Sequence, residues 1–318
     1  MVKRTINNQQ TSTRGFEDLY PFGSHFLKIG GHDLHYVDEG KGAPLFMIHG
    51  NPTWSFYYRN LITHLSKNFR TIAPDHIGCG FSDKPGSEHY DYTLATRVAD
   101  LDVLIQHLCP NEKISFIVHD WGGMIGLAWA IDHLDRIDKM VITNTAGFFL
   151  PREKTFPFRL WLIEYLNWFG VPAVLGLNAF ARGALFMGSE TKLSPAVKKG
   201  LIAPYNSWKN RIATLKFVQD IPLSKQDKSF SLVDHVDRHL AQLNEDKLLF
   251  LWGAKDFVFD LTFLNEFRLR FPKSACRVFQ DAGHYLFEDK PKETRKIIHS
   301  FLMGKPDQQF AVGDYEDA

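Results

Sequence analysis

Cysteine is scarce in this sequence, neither sign of charge is in excess, and no long hydrophobic run is present. The three cysteines, Cys79, Cys109 and Cys276, lack the spacing of a metal site and cannot all pair, which favours a reducing compartment. The 37 basic and 36 acidic residues give a formal net charge of +1, which indicates neither nucleic-acid binding nor a charged interaction tail. No stretch approaches ~18 apolar residues, and residues 1–14 lack an apolar core, so neither a transmembrane helix nor a secretory signal is predicted. We therefore expect a cytoplasmic protein that is not an integral membrane protein and needs no metal or cofactor.

Apolar residues are plentiful, at 44% of 318 residues, which is enough for a sizeable core. Short apolar segments alternate with segments of helical periodicity. This alternation predicts an α/β protein with a mostly parallel central sheet and helices on both faces. We expect strands within residues 25–37 (a pair), 44–48, 69–74, 114–118, 139–144, 248–252 and 277–280, and helices at 56–65, 94–108, 124–130 and 290–302.

The alternation stops between residues 148 and 223, a segment rich in phenylalanine and tryptophan. We interpret this segment as a helical cap inserted into a core formed by residues 23–147 and 224–305. Residues 1–22 are predicted to be a polar, loosely ordered tail, and residues 306–318 a second polar tail.

One strand–turn–helix segment carries the strongest chemical signal. The apolar run Ile114–Val118 ends in a turn with two glycines, and residues 124–130 read as a helix. This layout is that of a nucleophile elbow, with Asp120 at the position that commonly holds serine. An aspartate at a strand–helix turn is usually a helix cap. As a nucleophile, however, its carboxylate would need no base and would attack carbon directly.

Three further motifs follow strands in an order that supports the nucleophile. His49-Gly50-Asn51-Pro52 comes after the strand at 44–48 and can supply one backbone N–H to an oxyanion hole, the other coming from Trp121. Asp256 follows the strand at 248–252, and His284 lies in a loop before the last helix. The order nucleophile, acid, histidine is that of the α/β-hydrolase fold.

From about residue 22 to residue 303 the sequence resembles the α/β-hydrolase superfamily and, within it, the haloalkane dehalogenases, in which tryptophan follows an aspartate nucleophile. The motifs of that group are residues 49–54, 82–85 and 118–123. Within that group, the sequence is more specifically similar to a branch that contains the β-lactone decarboxylases of bacterial olefin biosynthesis. The segments that carry this narrower resemblance are 55–59, 75–80, 124–126, 217–223 and 256–260.

The resemblance implies a role for each motif residue. Asp120 would be the nucleophile, His284 the base that activates water, and Asp256 the acid that orients the histidine. The side chain of Asn51 and the indole N–H of Trp121 would hold a departing anion, while their backbone N–H groups would stabilise an oxyanion.

Other residues compete for these roles. Some relatives place the acid after the strand at 139–144, but here that strand ends at Asn144. Asp260 is a rival for Asp256, whereas Asp281 is interpreted as a turn residue. We expect His49, His76 and His119 to be structural and hydrogen-bonded.

The aromatic residues of the cap have open roles. A second halide-binding tryptophan could be Trp161, Trp168 or Trp208, and epoxide-protonating tyrosines could be Tyr165 and Tyr205. Trp54 and Tyr57 are expected either to pack below the oxyanion loop or to contact substrate.

The shared first step is attack of Asp120 on an electrophilic carbon of a small hydrophobic substrate. The leading hypothesis is a cis-3,4-dialkyl β-lactone decarboxylase that forms a cis-olefin and carbon dioxide, with ring opening at either the ring carbon or the carbonyl. A haloalkane dehalogenase is the main alternative, followed by an epoxide hydrolase and a non-enzymatic ligand-binding protein. A ligase-like biosynthetic enzyme that hands over the substrate is a further hypothesis about partners.

Overall fold

One twisted sheet organises the residues that the computed structural model describes, 12–151, 153–155 and 167–305. The strands are β1 (His25–Ile29), β2 (His32–Glu39), β3 (Pro44–Ile48), β4 (Arg70–Pro74), β5 (Ile114–His119), β6 (Ile137–Thr143), β7 (Leu248–Gly253) and β8 (Ala275–Phe279). Their order is β1-β2-β4-β3-β5-β6-β7-β8. The pairs β1–β2 and β2–β4 are antiparallel, and all the other pairs are parallel. The predicted mostly parallel sheet is confirmed.

Helices of the core cover both faces of this sheet, and the helices between residues 167 and 219 belong to the cap segment. They are α1 (Arg59–Leu65), α2 (Leu94–Leu108), α3 (Trp121–Asp132), α4 (Asn167–Val171), α5 (Ala179–Met187), α6 (Pro195–Ile202), α7 (Ile212–Gln219), α8 (Phe230–His239), α9 (Leu261–Arg270), α10 (Leu286–Asp289) and α11 (Pro291–Leu302). Residues of α2, α3, α8 and α9 pack in one hydrophobic cluster, and residues of α1, α10 and α11 pack in the other.

The central strands are buried on both faces, as strands of a covered parallel sheet must be. In β3, Phe46 and Ile48 contribute to the first cluster, whereas Leu45 and Met47 contribute to the second. This alternation follows from the two-residue period of a strand. The predicted site residues Asp120, Asp256 and His284 lie outside the strands, in the segments that follow β5, β7 and β8.

The predicted elements are observed with small shifts, whereas the core helices α8 and α9 were not predicted. The helix expected at 56–65 begins as a 3₁₀ turn, Ser55–Tyr58, and becomes α-helical at Arg59. The last strand runs over Ala275–Phe279 and not 277–280. The helix at Leu94–Leu108 has the predicted bounds, with the Thr93 side chain accepting a hydrogen bond from the backbone N–H of Thr96 at its start.

The end of the predicted N-terminal tail is ordered, contrary to expectation. Phe16 and Tyr20 are buried, and Phe16 packs edge-on against Phe56 at 5.3 Å between ring centroids. The Tyr20 hydroxyl lies 2.5 Å from Ser55 Oγ. A polar average over residues 1–22 hid these aromatic residues, whose burial outweighs the cost of ordering a short segment. Residues 1–11 and 306–318 lie outside the described residues.

The predicted cap segment is helical where it is described. Helices α4 to α7 and a π-helical turn, Pro172–Gly176, follow one another, and the described part of the segment contains no strand. The boundaries at 148 and 223 remain predictions. None of the helices in the described residues has the length and hydropathy needed to span a bilayer.

Candidate active site

Asp120 stands at a sharp turn between β5 and α3. Its backbone has φ 52° and ψ −131°, a region that costs a residue other than glycine about 1–3 kcal/mol. A Cβ at Gly122 would collide with the Ile48 carbonyl, and one at Gly50 would collide with the Asp120 side chain. The glycines thus allow the loop after β3 to approach Asp120, whose side chain is lifted at the carboxyl end of the sheet.

The three predicted catalytic side chains meet at this end of the sheet. His284 Nδ1 donates to Asp256 Oδ2 at 2.7 Å, and His284 Nε2 lies 3.8 Å from Asp120 Oδ2. The other oxygen of Asp256 accepts from the backbone N–H groups of Val258 and Phe259, at 2.8 and 3.2 Å. Asp256 is therefore fixed from two sides and holds the imidazole so that Nε2 faces Asp120.

Backbone N–H groups hold the Asp120 carboxylate. The N–H of Asn51 donates to Asp120 Oδ1 at 2.6 Å, and the backbone N–H of Trp121 also interacts with the carboxylate. Thr145 Oγ1 donates to the Asp120 carbonyl at 2.5 Å. The two backbone N–H groups predicted for an oxyanion hole thus both lie at the Asp120 carboxylate.

The side chains of Asn51 and Trp121 have other contacts. Asn51 Nδ2 donates to the Thr214 carbonyl of α7 at 3.0 Å, while the buried Asn51 Oδ1 has no protein partner. The Trp121 ring packs against Phe217 at 5.4 Å between centroids. Both residues lie beside Asp120, and their role in holding a leaving anion remains a prediction.

The charges of the triad are coupled. Burial raises the pKa of Asp120, although the charge of His284 and the N–H groups of Trp121 and Asn51 oppose the shift. Burial alone would lower the pKa of His284, but the charge and hydrogen bond of Asp256 outweigh it, so this pKa is raised. The pKa of each group is therefore above its ordinary value, while the charge of each group favours the ionised form of the other.

The rival acids lie elsewhere. Asp260 caps α9 by accepting from the Thr262 N–H at 3.0 Å and also pairs with Lys154. Asp281 is exposed and pairs with Lys290. Neither is a hydrogen-bond partner of His284, so Asp256 is the acid that the geometry supports.

At the alternative acid position, Asn144 braces the sheet edge. Its Nδ2 donates to the Gly253 carbonyl at 3.1 Å, and its Oδ1 accepts from the Gly253 N–H at 2.9 Å. An amide can form both bonds, whereas a carboxylate cannot donate. Asn144 and Thr145 were not predicted as site residues. Their position just after β6 was the available signal, because ligands bind at the carboxyl ends of parallel strands.

Three neighbouring histidines are structural, as expected. His49 Nδ1 donates to the Gly50 carbonyl at 2.7 Å, and its Nε2 accepts from the His76 N–H at 3.0 Å. His119 Nε2 donates to the His284 carbonyl at 2.8 Å. Burial lowers the pKa of all three side chains, so they brace the loops as neutral rings.

The cap tryptophans and Tyr205, where described, do not line the cavity beside Asp120. Trp168 and Trp208 are exposed, and the Tyr205 hydroxyl donates to the Thr53 carbonyl at 3.1 Å. Trp161 and Tyr165 lie outside the described residues. Trp54 is also a packing residue, with its indole N–H donating to the Gly200 carbonyl at 3.0 Å.

Tyr57 packs below the site. It is buried, and its hydroxyl accepts from the Phe287 N–H at 3.3 Å. Of the two arrangements considered for Trp54 and Tyr57, packing is the one observed.

A cavity of about 130 Å³ lies beside Asp120. The polar side chains of its wall are Asp120, Thr145 and the Trp121 indole, and the rest of the wall is apolar. The cavity therefore suits an apolar substrate. Ile221–Leu223 and Val258–Phe259 belong to segments that carry the narrower resemblance. The other residues of the wall are Met124, Ala146, Phe148, Phe149, Leu150, Val233 and Phe263.

Comparisons with known proteins show the family to which the chain belongs. The model of the α/β-hydrolase fold family matches residues 43–291. The cis-3-alkyl-4-alkyloxetan-2-one decarboxylase of Shewanella oneidensis is 44% identical over 287 residues, which is 90% of each chain. Its counterpart from Xanthomonas campestris pv. campestris is 42% identical, covering 86% of this chain and 93% of the relative. Haloalkane dehalogenase 2 of Mycobacterium tuberculosis is 32% identical, covering 88% of this chain and 95% of the relative.

Solved structures extend the similarity to the fold. The haloalkane dehalogenase DbeA from Bradyrhizobium elkani superposes with a TM-score of 0.79 at 22% identity, over 89% of this chain and 98% of that one. DatA from Agrobacterium tumefaciens gives 0.78 at 22% identity, over 89% and 96%. The chain belongs to the α/β-hydrolase fold family, in the group that contains the cis-3-alkyl-4-alkyloxetan-2-one decarboxylases and the haloalkane dehalogenases.

Proposed function

We propose that this protein is a cis-3,4-dialkyl β-lactone decarboxylase with Asp120 as its nucleophile. The observation that carries the proposal is the Asp120 carboxylate itself, which is held by the Asn51 N–H at 2.6 Å and opens on an apolar cavity. The relatives at 44% and 42% identity are named as decarboxylases of this substrate class, which favours the lactone over a haloalkane.

Attack at the ring carbon gives a complete reaction that does not consume water. An Asp120 oxygen forms a bond to the ring carbon as that carbon's bond to the lactone oxygen breaks, which leaves an alkyl ester and a free carboxylate. The carbon–carbon bond to the new carboxylate then breaks, and carbon dioxide leaves. The electrons of that bond form the alkene, while the carbon–oxygen bond of the ester breaks and restores the Asp120 carboxylate. Inversion followed by anti elimination converts a cis lactone into a cis alkene.

Attack at the carbonyl is the second route. It forms a mixed anhydride between Asp120 and the substrate and places negative charge on the substrate oxygen. The N–H groups of Asn51 and Trp121 would stabilise an oxyanion in this route. We favour the ring-carbon route because its two steps account for the geometry of the alkene.

The second candidate function is haloalkane dehalogenation. His284 Nε2, 3.8 Å from Asp120 Oδ2, is positioned to activate a water that breaks an alkyl ester. For an epoxide hydrolase, the Tyr205 hydroxyl is committed to the Thr53 carbonyl, which disfavours its use as a proton donor.

The test is a solution NMR assay with two parallel substrates, a cis-3,4-dialkyl β-lactone and a 1-bromoalkane. Solution NMR is preferred to gas chromatography because heat alone decarboxylates β-lactones. We expect alkene from the lactone and no alcohol from the bromide. Alcohol and bromide from the haloalkane, with the lactone untouched, would identify a dehalogenase.

The compartment and the partners belong to the same proposal. Cys79, Cys109 and Cys276 are free thiols in the structure, which supports our proposal of a reducing, cytoplasmic location. A ligase-like enzyme that delivers the lactone is a further proposed partner. Its test is a pull-down from cells of the source organism, and absence of any co-purifying biosynthetic enzyme would count against it.

A further inference from the structure

The outer surface of the cap helices, residues 167–219, is unusually apolar. Five of the eleven exposed large hydrophobic residues of the described chain lie in this segment. Both exposed tryptophans are among them. Scattered apolar residues on a surface are ordinary, but a concentration of aromatic side chains marks an interaction site. The five residues are Trp168, Leu177, Phe186, Met187 and Trp208.

These exposed residues are additional to the apolar inner side of the helices. The inner side of the same helices is already occupied, since Leu185 and Leu201 pack in a core cluster and Leu215 packs with Val174. Phe186, next to Leu185 in α5, is 74% exposed. The helices are therefore apolar on two sides, and the outer side faces solvent.

The same segment is strongly basic. Residues 167–219 contain five lysines and two arginines but a single acid, Glu190, which gives a formal charge of +6. Because the whole chain is +1, all other residues together carry −5. Glu190 is itself paired with Lys255 of the core at 3.0 Å. The charge of the protein is thus separated between the cap helices and the rest.

Basic and apolar side chains interleave on this surface. Lys198 Nζ lies 5.1 Å from the Phe186 ring centroid, which joins α6 to α5. The Arg211 guanidinium donates to the carbonyls of Leu175 and Gly176, directly before the exposed Leu177. Exposed aromatic rings beside lysines and arginines are the features of a protein face that lies in the headgroup region of a bilayer.

We propose that the outer face of the cap helices binds the surface of an anionic lipid bilayer. Lysine supplies five of the seven positive charges, and lysine is depleted in protein–protein interfaces, so lipid is favoured over a protein partner. If the proposed function holds, this face would bring the cap to the membrane in which a dialkyl lactone and its alkene product dissolve. Binding itself does not depend on that reaction.

The test is co-sedimentation with vesicles of phosphatidylcholine, with and without phosphatidylglycerol, in the absence of substrate. We expect the protein to pellet with anionic vesicles only and to be released by high salt, which screens surface charge. The double variant Phe186→Gln/Trp208→Gln should weaken binding about tenfold or more. Lys209→Glu should weaken it by a similar factor.

Matched controls lie on the core. Leu269→Gln removes an apolar side chain that is 77% exposed on α9, and Lys292→Glu reverses an exposed charge on α11. Both should bind vesicles like the wild type, and thermal melting should show all the variants folded. The proposal is overturned if the wild type stays in the supernatant with anionic vesicles, or if the controls lose as much binding.

A protein partner would give a different pattern. In that case the Phe186→Gln/Trp208→Gln variant would lose a co-purifying protein or a dimer in sedimentation velocity, while vesicle binding would be absent from the wild type. Because no turnover is measured, a missing decarboxylase activity would leave the vesicle result intact.

Discussion

Two regions of the molecule differ in how they contribute to the site. They are the loops at the ends of β3, β5 and β7, and the cap helices at 167–219. In the loops, backbone N–H groups hold the two carboxylates. Those of Asn51 and Trp121 bond Asp120, and those of Val258 and Phe259 bond Asp256. The described cap contributes one polar bond at the site, from Asn51 Nδ2 to Thr214. Under our proposals, the loops of the sheet set the chemistry, and the cap region sets which substrates enter and where the protein binds.

The largest effect should come from the nucleophile. Asp120→Ala should reduce alkene formation by about 10³-fold or more, which corresponds to about 4 kcal/mol of transition-state stabilisation. Its matched control is Asp260→Asn, which changes an acid that caps a helix outside the triad. Rates are measured by NMR, and near-normal turnover by Asp120→Ala would remove Asp120 from the mechanism.

His284→Phe should separate the two chemical steps. A carboxylate needs no base to attack, so under the second candidate function, haloalkane dehalogenation, the variant should still form an ester with a reactive 1-bromoalkane. Without a base to activate water, that ester should persist. Intact-mass spectrometry should show the alkyl adduct, and the Asp120→Ala/His284→Phe double variant should show none. Turnover of the bromoalkane without an adduct would contradict this scheme.

Asn51 lies where the core meets the cap. Asn51→Ala should lower kcat by about 10- to 1000-fold if its side chain stabilises developing negative charge. Asn206→Ala, in an exposed part of the cap, is the control. An unchanged kcat would mean that the Asn51 side chain only ties the loop to Thr214 and takes no part in the reaction.

The cavity wall should affect binding more than chemistry. Val258 lines the cavity, so Val258→Phe should raise KM for long-chain lactones by about tenfold and change kcat for short-chain ones little. Val103→Phe, at an exposed position of α2, is the control. An equal effect on short and long chains would show that the cavity does not hold the alkyl chains.

The sequence predicted the core well because its signals are local. Short apolar runs in the sequence predicted β3 and β5. Asp120, Asp256 and His284 each lie in a recognisable motif that follows a strand or precedes a helix. The triad's geometry then follows from the parallel sheet, which brings the carboxyl ends of its strands together.

Other features could not be read in this way. Phe16 and Tyr20 are buried by contacts with Trp54 and Phe56, which are remote in sequence, so a local polar average missed them. Asn144 bonds Gly253 through both ends of its amide, and that partner lies on the neighbouring strand but 109 residues away in sequence. Such pairings depend on tertiary contacts that no periodicity encodes.

The central claim is that loss of carbon dioxide, and not water, releases the substrate from Asp120. The most direct test is turnover of the β-lactone in water labelled with oxygen-18, followed by mass spectrometry of the peptide that contains Asp120. We predict cis-alkene and an Asp120 carboxylate that keeps its own oxygen atoms. A β-hydroxy acid product together with labelled Asp120 would show that water breaks the ester, and would contradict the account.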